Sequence, residues 1–195
     1  MPTPAELRDG RSFDTPVLQT LGGTTIALGG ASAITAASSE VEDTTTETAF
    51  DQVRQIPANV LKVGSVVKIY CQGLILDNNS TDTFQWRLVV GGSTTDVLGT
   101  ELITSTAVDV ADSDIFGGYF VLTVRTIGSS GTWVGFGQYQ DADAAAGTQQ
   151  KMGYIGSTTV DTTAALPIKV TGKWSVADAD NEAQLDVLAV EIFTP

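Results

Sequence analysis

From residue 47 onward, apolar and polar residues alternate along the chain with a period of two. In the run 84–90, Phe84, Trp86, Leu88 and Val90 share one side while Gln85 and Arg87 take the other, because successive side chains of a strand leave opposite faces. Leu166, Ile168, Val170, Trp174 and Val176 repeat the pattern, with Lys169, Thr171, Lys173 and Ser175 opposite. Further runs rich in β-branched and aromatic residues span 66–76, 119–127, 132–139 and 185–193, with shorter ones at 50–56, 96–103 and 154–160. Turn-forming clusters separate them: Asp77-Asn78-Asn79-Ser80, Gly91-Gly92-Ser93, Gly128-Ser129-Ser130-Gly131 and Asp178-Ala179-Asp180-Asn181. About eight half-buried strands with no helical periodicity predict an all-β fold, a two-sheet antiparallel β-sandwich, with a jelly roll the first choice of topology.

The pattern changes near residue 47. Upstream lie Ser, Thr, Gly, Ala and acidic residues, as in Gly22-Gly23-Thr24-Thr25 and Gly29-Gly30-Ala31-Ser32. This predicts an extended N-terminal arm over 1–46 and a sandwich domain over 47–195. Thr3-Pro4-Ala5-Glu6 has capping-box spacing and Gly10 could close a helix of about two turns, marginal unless docked. The stretch 24–37 alternates weakly around Ile26, Leu28 and Ile34, which suits a strand laid on a neighbour better than a core element.

Composition narrows the chemistry. With no histidine, the chain lacks the usual general base and zinc ligand. Cys71 is the single cysteine, so no intramolecular disulfide or Cys-rich metal site can form, and its register with Val67 and Ile69 marks it as a buried small hydrophobe. A net charge of −13 repels phosphate backbones and anionic membranes, so neither nucleic acid nor membrane is an expected partner. The start of the chain lacks the pattern of a secretory signal, and no stretch has the length of a membrane span. The expectation is synthesis in a cytosol and solubility until assembly. No cofactor is expected.

Carboxylates are the acid–base chemistry that remains. Asp109, Asp112 and Asp114 cluster in one loop and Asp141 and Asp143 in another. Solvated loop charge is the preferred reading, calcium the next, and catalysis the last, since neither an EF-hand spacing nor the Glu-x-Asp-x-Glu run of jelly-roll glucanases is present. Asp178 and Asp180 read as turn formers, and Asn78 to Thr81 as a polar turn despite its glycosylation-type spacing. Trp86 and Trp174 belong to the core by alternation. If Val134 and Phe136 hold the inner face of their strand, Trp133 and Tyr139 lie outside, which makes these two the candidate aromatics for a surface or subunit contact.

Several blocks carry a resemblance. Thr46-Glu47-Thr48-Ala49-Phe50-Asp51, the run from Ile56-Pro57-Ala58-Asn59 to Lys68-Ile69, Thr83-Phe84-Gln85-Trp86-Arg87-Leu88-Val89-Val90-Gly91-Gly92, Val124-Arg125-Thr126-Ile127-Gly128 with Gly131-Thr132, and Trp174-Ser175 before the strand ending at Phe193 resemble a β-sandwich module of tailed-bacteriophage virion proteins. The resemblance covers roughly residues 46–193, and its motifs are structural. It implies a jelly-roll module on the capsid exterior, often a homotrimer, that acts without enzymatic activity as a decoration (cement) protein and has capsid protein or other virion proteins as partners. In that role, Leu7, Phe13, Val17, Leu18, Leu21, Ile26, Leu28 and Ile34 of the arm are the candidate anchors. The alternative is a receptor- or carbohydrate-binding domain of a head or tail fibre.

Overall fold

The computed structural model describes residues 18–21, 24–79, 81–142 and 151–195. Among these residues there are fourteen strands and no helix. They are β1 (Leu18–Leu21), β2 (Thr24–Ala33), β3 (Val41–Glu42), β4 (Thr48–Ala49), β5 (Arg54–Ile56), β6 (Val66–Asp77), β7 (Thr83–Val90), β8 (Thr100–Thr104), β9 (Val108–Asp109), β10 (Ile115–Thr126), β11 (Gly131–Gln140), β12 (Lys151–Val160), β13 (Leu166–Trp174) and β14 (Glu182–Thr194). The helix expected near Pro4 lies outside the described residues.

Two antiparallel sheets form the sandwich that the alternation predicts. The larger runs β1-β2-β14-β6-β10-β11-β12 with β3 also on β14, and the smaller runs β4-β13-β7-β8 with β5 on β13 and β9 on β7. Early strands pair with late ones, β6 with β14 and β7 with β13, in the nested manner of a jelly roll, while β10 to β12 follow as a meander. Between the sheets, Phe84 meets Trp174 at 4.9 Å and Phe116 at 5.1 Å between ring centroids. Such tilted pairs contribute about 0.5–1.5 kcal/mol each beyond the area they bury. The indoles are anchored as well: Trp86 Nε1 donates to Gln140 O (3.0 Å) and Trp174 Nε1 to Val41 O (2.9 Å).

Strand β11 reverses the expected parity. Trp133 is fully buried, and its Nε1 has no hydrogen-bond partner among the described residues, whereas Phe136 points outward. The cause lies in the neighbouring strand. A Cβ at Gly137 would sit 2.2 Å from Phe120 Cδ1, and one at Gly135 2.8 Å from Leu122 Cδ2. Phe120 and Leu122 of β10 therefore fill the inner face above the glycines, an aromatic-over-glycine arrangement, and leave Val134 and Phe136 to the outside.

Strand β13 departs in another way, being buried on both faces. Residues 91–99 fold across its outer side, so Lys169, expected in solvent, is fully buried along with Val89. The Lys169 Nζ donates to Ser93 O (2.6 Å), Leu98 O (2.7 Å), and Asp96 O and Oδ1 (2.8 Å each). Val176, expected inward, lies past the end of β13 and is exposed.

The compositional change near residue 47 is not where packing starts. Val41 is a core residue and Ile34 packs against the core. Strand β2 pairs with β14 of the same chain, from Ala27↔Thr194 to Ala33↔Ala189, so this stretch does lie on a neighbouring strand, one supplied by its own sandwich.

Candidate functional site

The exposed features converge on the outer face of the larger sheet. Inter-strand register sets its side chains in rows. One row runs Met152, Gln138, Tyr119, Tyr70 and Ala189 across β12, β11, β10, β6 and β14, and the next runs Tyr154, Phe136, Val121, Lys68 and Glu191. Phe136, Met152 and Tyr154 are 54%, 66% and 80% exposed. Large apolar groups clustered at such exposure mark an interaction surface.

A third row, Gln140, Gly117, Gln72 and Val187, contains a gap. Gly117 has φ of +127°, and a Cβ there would lie 2.2 Å from Cys71 O. Glycine is thus required by the backbone, and the missing side chain opens a concavity of about 380 Å³ whose walls include Tyr70, Gln72, Tyr119, Gln138, Tyr139 and Gln140. The Tyr70 and Tyr119 rings lie 4.8 Å apart with planes at 31°. Burial is the main cause that pushes the Tyr70 hydroxyl pKa upward, followed by the nearby Glu191 carboxylate. Gln140 is held through side chain and main chain: its Nε2 donates to Ile115 O (2.6 Å) and its main-chain carbonyl accepts the Trp86 indole. Among the described residues, no charged side chain lines the concavity.

The buried Cys71 thiol borders this floor, and desolvation raises its pKa to about 12. It stays protonated at neutral pH and supplies neither a nucleophile nor a metal ligand.

Of the aromatics named as surface candidates, Tyr139 shares the inward parity of Trp133 and packs against the core, and only its edge borders the concavity. It is half-buried and packs edge-on against Trp86, with ring centroids 5.9 Å apart. Trp133 does not reach the concavity, being sealed in the core. Tyr70, Tyr119, Phe136 and Tyr154 escaped the reading of the sequence; the glycines at 135 and 137 opposite Phe120 and Leu122 were the signal that would have corrected the parity. Among the arm residues, Ile34 rests on the core; Leu18, Leu21, Ile26 and Leu28 fall in β1 and β2 without described side chains, and Leu7, Phe13 and Val17 lie outside the described residues.

The acidic loops divide: Asp109 and Asp112 are exposed, as solvated loop charge predicts, Asp143 lies outside the described residues, and Asp114 and Asp141 are buried and structural. Buried Asp114 accepts Ala111 N (2.8 Å) within its own turn, and buried Asp141 accepts Thr106 N (3.1 Å) and pairs with Lys151. Asp178 closes its turn through Asp180 N (3.0 Å), as expected, and also accepts Asn79 Nδ2 (2.7 Å). A different group, Glu40, Glu42 and Glu182, brings carboxylates within 4.8 Å of one another. Three carboxylates supply between three and six of the six to eight oxygens calcium takes, so a site here would need water or main-chain carbonyls to complete it. Burial, then Glu40 and Glu42, raises the Glu182 pKa. A raised carboxyl pKa stabilises the fold below the unfolded value, and that contribution is lost as pH rises through the folded one. Glu182→Gln should therefore raise Tm by roughly 1–2 °C at pH 7 and leave it unchanged at pH 3, as paired thermal melts would read.

No protein-family model matches the chain, and no curated protein is significantly similar to it in sequence. Among solved structures, the infectious bursal disease virus VP2 subviral particle is similar at 11% identity and a TM-score of 0.35, over 92% of this chain and 37% of that one. The chain thus spans little more than a third of that VP2 chain. The CBM2 module of the evolved Dit from Lactobacillus casei BL23 phage J-1 gives 9% identity and a TM-score of 0.31 over 91% and 79% of the two chains. Lectin I-B4 of Griffonia simplicifolia gives 8% and 0.33 over 91% of each. Likenesses at this level assign no role.

Proposed function

We propose that this chain is a non-enzymatic structural protein of a virion that decorates the capsid exterior and attaches to the protein shell through its N-terminal segment. The observation that carries the reading is the β1–β2 hairpin, which extends the larger sheet beyond β14 and ends in β1, whose far edge is unpaired among the described residues. An open edge offers a row of unsatisfied N–H and C=O groups, the template on which a strand of another chain adds. The resemblance of residues 46–193 to phage virion sandwich modules supports the virion role and extends it to a homotrimer, and the attaching segment lies outside that resemblance.

Co-sedimentation with undecorated phage heads tests it, with oligomeric state read by light scattering. The full chain should pellet with heads as a trimer, and a variant beginning at Ile34 should remain folded but stay in the supernatant. Equal capture of both would overturn attachment through the N-terminal segment.

A further inference from the structure

We propose that the outer face of the larger sheet, centred on the concavity over Gly117, is a binding site for a neutral glycan. This goes beyond the decorating role and does not depend on it, because the site lies on β6, β10 and β11 rather than on the N-terminal hairpin.

Three properties select the ligand. The first is shape: about 380 Å³ falls near the lower end of the roughly 300–1,000 Å³ of small-ligand sites and suits one or two sugar rings. The second is the mixture of surfaces. The Tyr70 and Tyr119 rings offer aromatic area beside the gap, and the C–H face of a pyranose packs on such area much as other apolar groups do. Around them stand the amides of Gln72 and Gln138, exposed and making no hydrogen bond among the described residues. Each amide carries both donors and acceptors, the complement of a ring of hydroxyls that do the same.

The third property is charge. The protein carries −13, yet among the described residues no charged group lines this concavity. An anionic sugar or phosphate would meet the protein's repulsive field with no cation in the concavity to offset it. A purely apolar ligand would desolvate the glutamine amides without replacing their water. A neutral, hydroxyl-rich ring satisfies the amides, uses the aromatic faces and adds no charge. Phe136, Met152 and Tyr154, on the adjoining strands, continue the exposed surface outward and provide room for further sugar units.

The experiment is a glycan array probed with the full chain, carrying neutral and sialylated oligosaccharides side by side, followed by NMR titration of each soluble neutral hit. Tyr119→Ala and Gln138→Ala are compared with the unchanged chain. Neutral glycans should bind, sialylated ones should not, and affinity should fall about 10-fold or more in Tyr119→Ala and several-fold in Gln138→Ala. Gln138 is exposed, so its replacement leaves the fold intact, and an unchanged near-ultraviolet circular dichroism spectrum checks this. An array without neutral hits, a preference for sialylated glycans, or affinity unchanged in Gln138→Ala would each overturn the assignment. So would self-association of the unchanged chain that Tyr119→Ala abolishes. Capsids play no part in the assay, so failure of the decorating role and failure of this site are read separately.

Discussion

Lys169→Met is expected to lower stability by about 3–5 kcal/mol, the usual range for breaking a buried charge pair. For a chain of this size that lowers Tm by roughly 10 °C. The ammonium is fully buried, yet four oxygen atoms surround it: three carbonyls, from Ser93, Asp96 and Leu98, and Asp96 Oδ1. Methionine keeps the length of the stem and removes every donor, so the carbonyls must find water by opening the 91–99 segment, which uncovers Val89. Asp96→Asn should do less, because the three carbonyl contacts survive. Its effect also depends on pH. The hydrogen bond from Lys169 holds the Asp96 carboxyl below its ordinary value, so its contribution is present above the unfolded carboxylate pKa and lost as pH falls through the folded one. Thermal melts of both variants at pH 7 and pH 3 give the comparison. A Tm for Lys169→Met within 2 °C of the unchanged chain would show that the loop is held by something other than the ammonium.

Lys169 also marks the limit of what alternation could reveal. Period-two patterning placed Trp86, Trp174, Ile168 and Val170 correctly, because the interface between two sheets is the largest apolar region and every strand contributes one face to it. It said nothing of a second layer made by a loop, since residues 91–99 hold Lys169 through main-chain carbonyls that are invisible in the identities of side chains. The candidate site was hidden for a related reason. Its character depends on which face of β11 is inner, and that was decided across the sheet by Phe120 and Leu122 covering Gly137 and Gly135. Once the parity is set, the glutamines and tyrosines of three strands fall into rows, but the rows require a register that only pairing supplies. Core and site are also joined directly. The Trp86 indole donates to Gln140 O, so a fully buried side chain helps to fix one wall of the concavity.

Deletion of residues 1–46 should prevent stable folding, whereas deletion of residues 1–33 should leave Tm within about 5 °C of the full chain. The contrast follows from what lies between the two cut points. Ser38 Oγ accepts Leu185 N (2.9 Å), Ser38 N donates to Leu185 O (2.9 Å), and Ser38 O accepts Gln184 Nε2 (2.9 Å). Val41 is buried and its carbonyl accepts the Trp174 indole, while Thr44 O accepts Trp174 N (3.2 Å). Losing the side chain of Val41 forfeits about 1.5–3 kcal/mol of burial. Orphaning the Trp174 indole and the Leu185 amide adds about 1–3 kcal/mol for each. The total approaches the whole stability of an ordinary domain, about 5–15 kcal/mol. Deletion up to Ile34 instead removes pairing at one edge of the larger sheet and leaves β14 paired with β6, and the ordering entropy that the removed strands no longer cost offsets part of the loss. Circular dichroism melts of the two truncated chains decide the matter, and a folded chain beginning at Glu47 would place the structural boundary at the compositional change after all. The result bears on function too: loss of capsid binding in a chain cut at residue 46 would report unfolding, so attachment through the N-terminal segment can be judged only from a chain that retains Ser38, Val41 and Thr44.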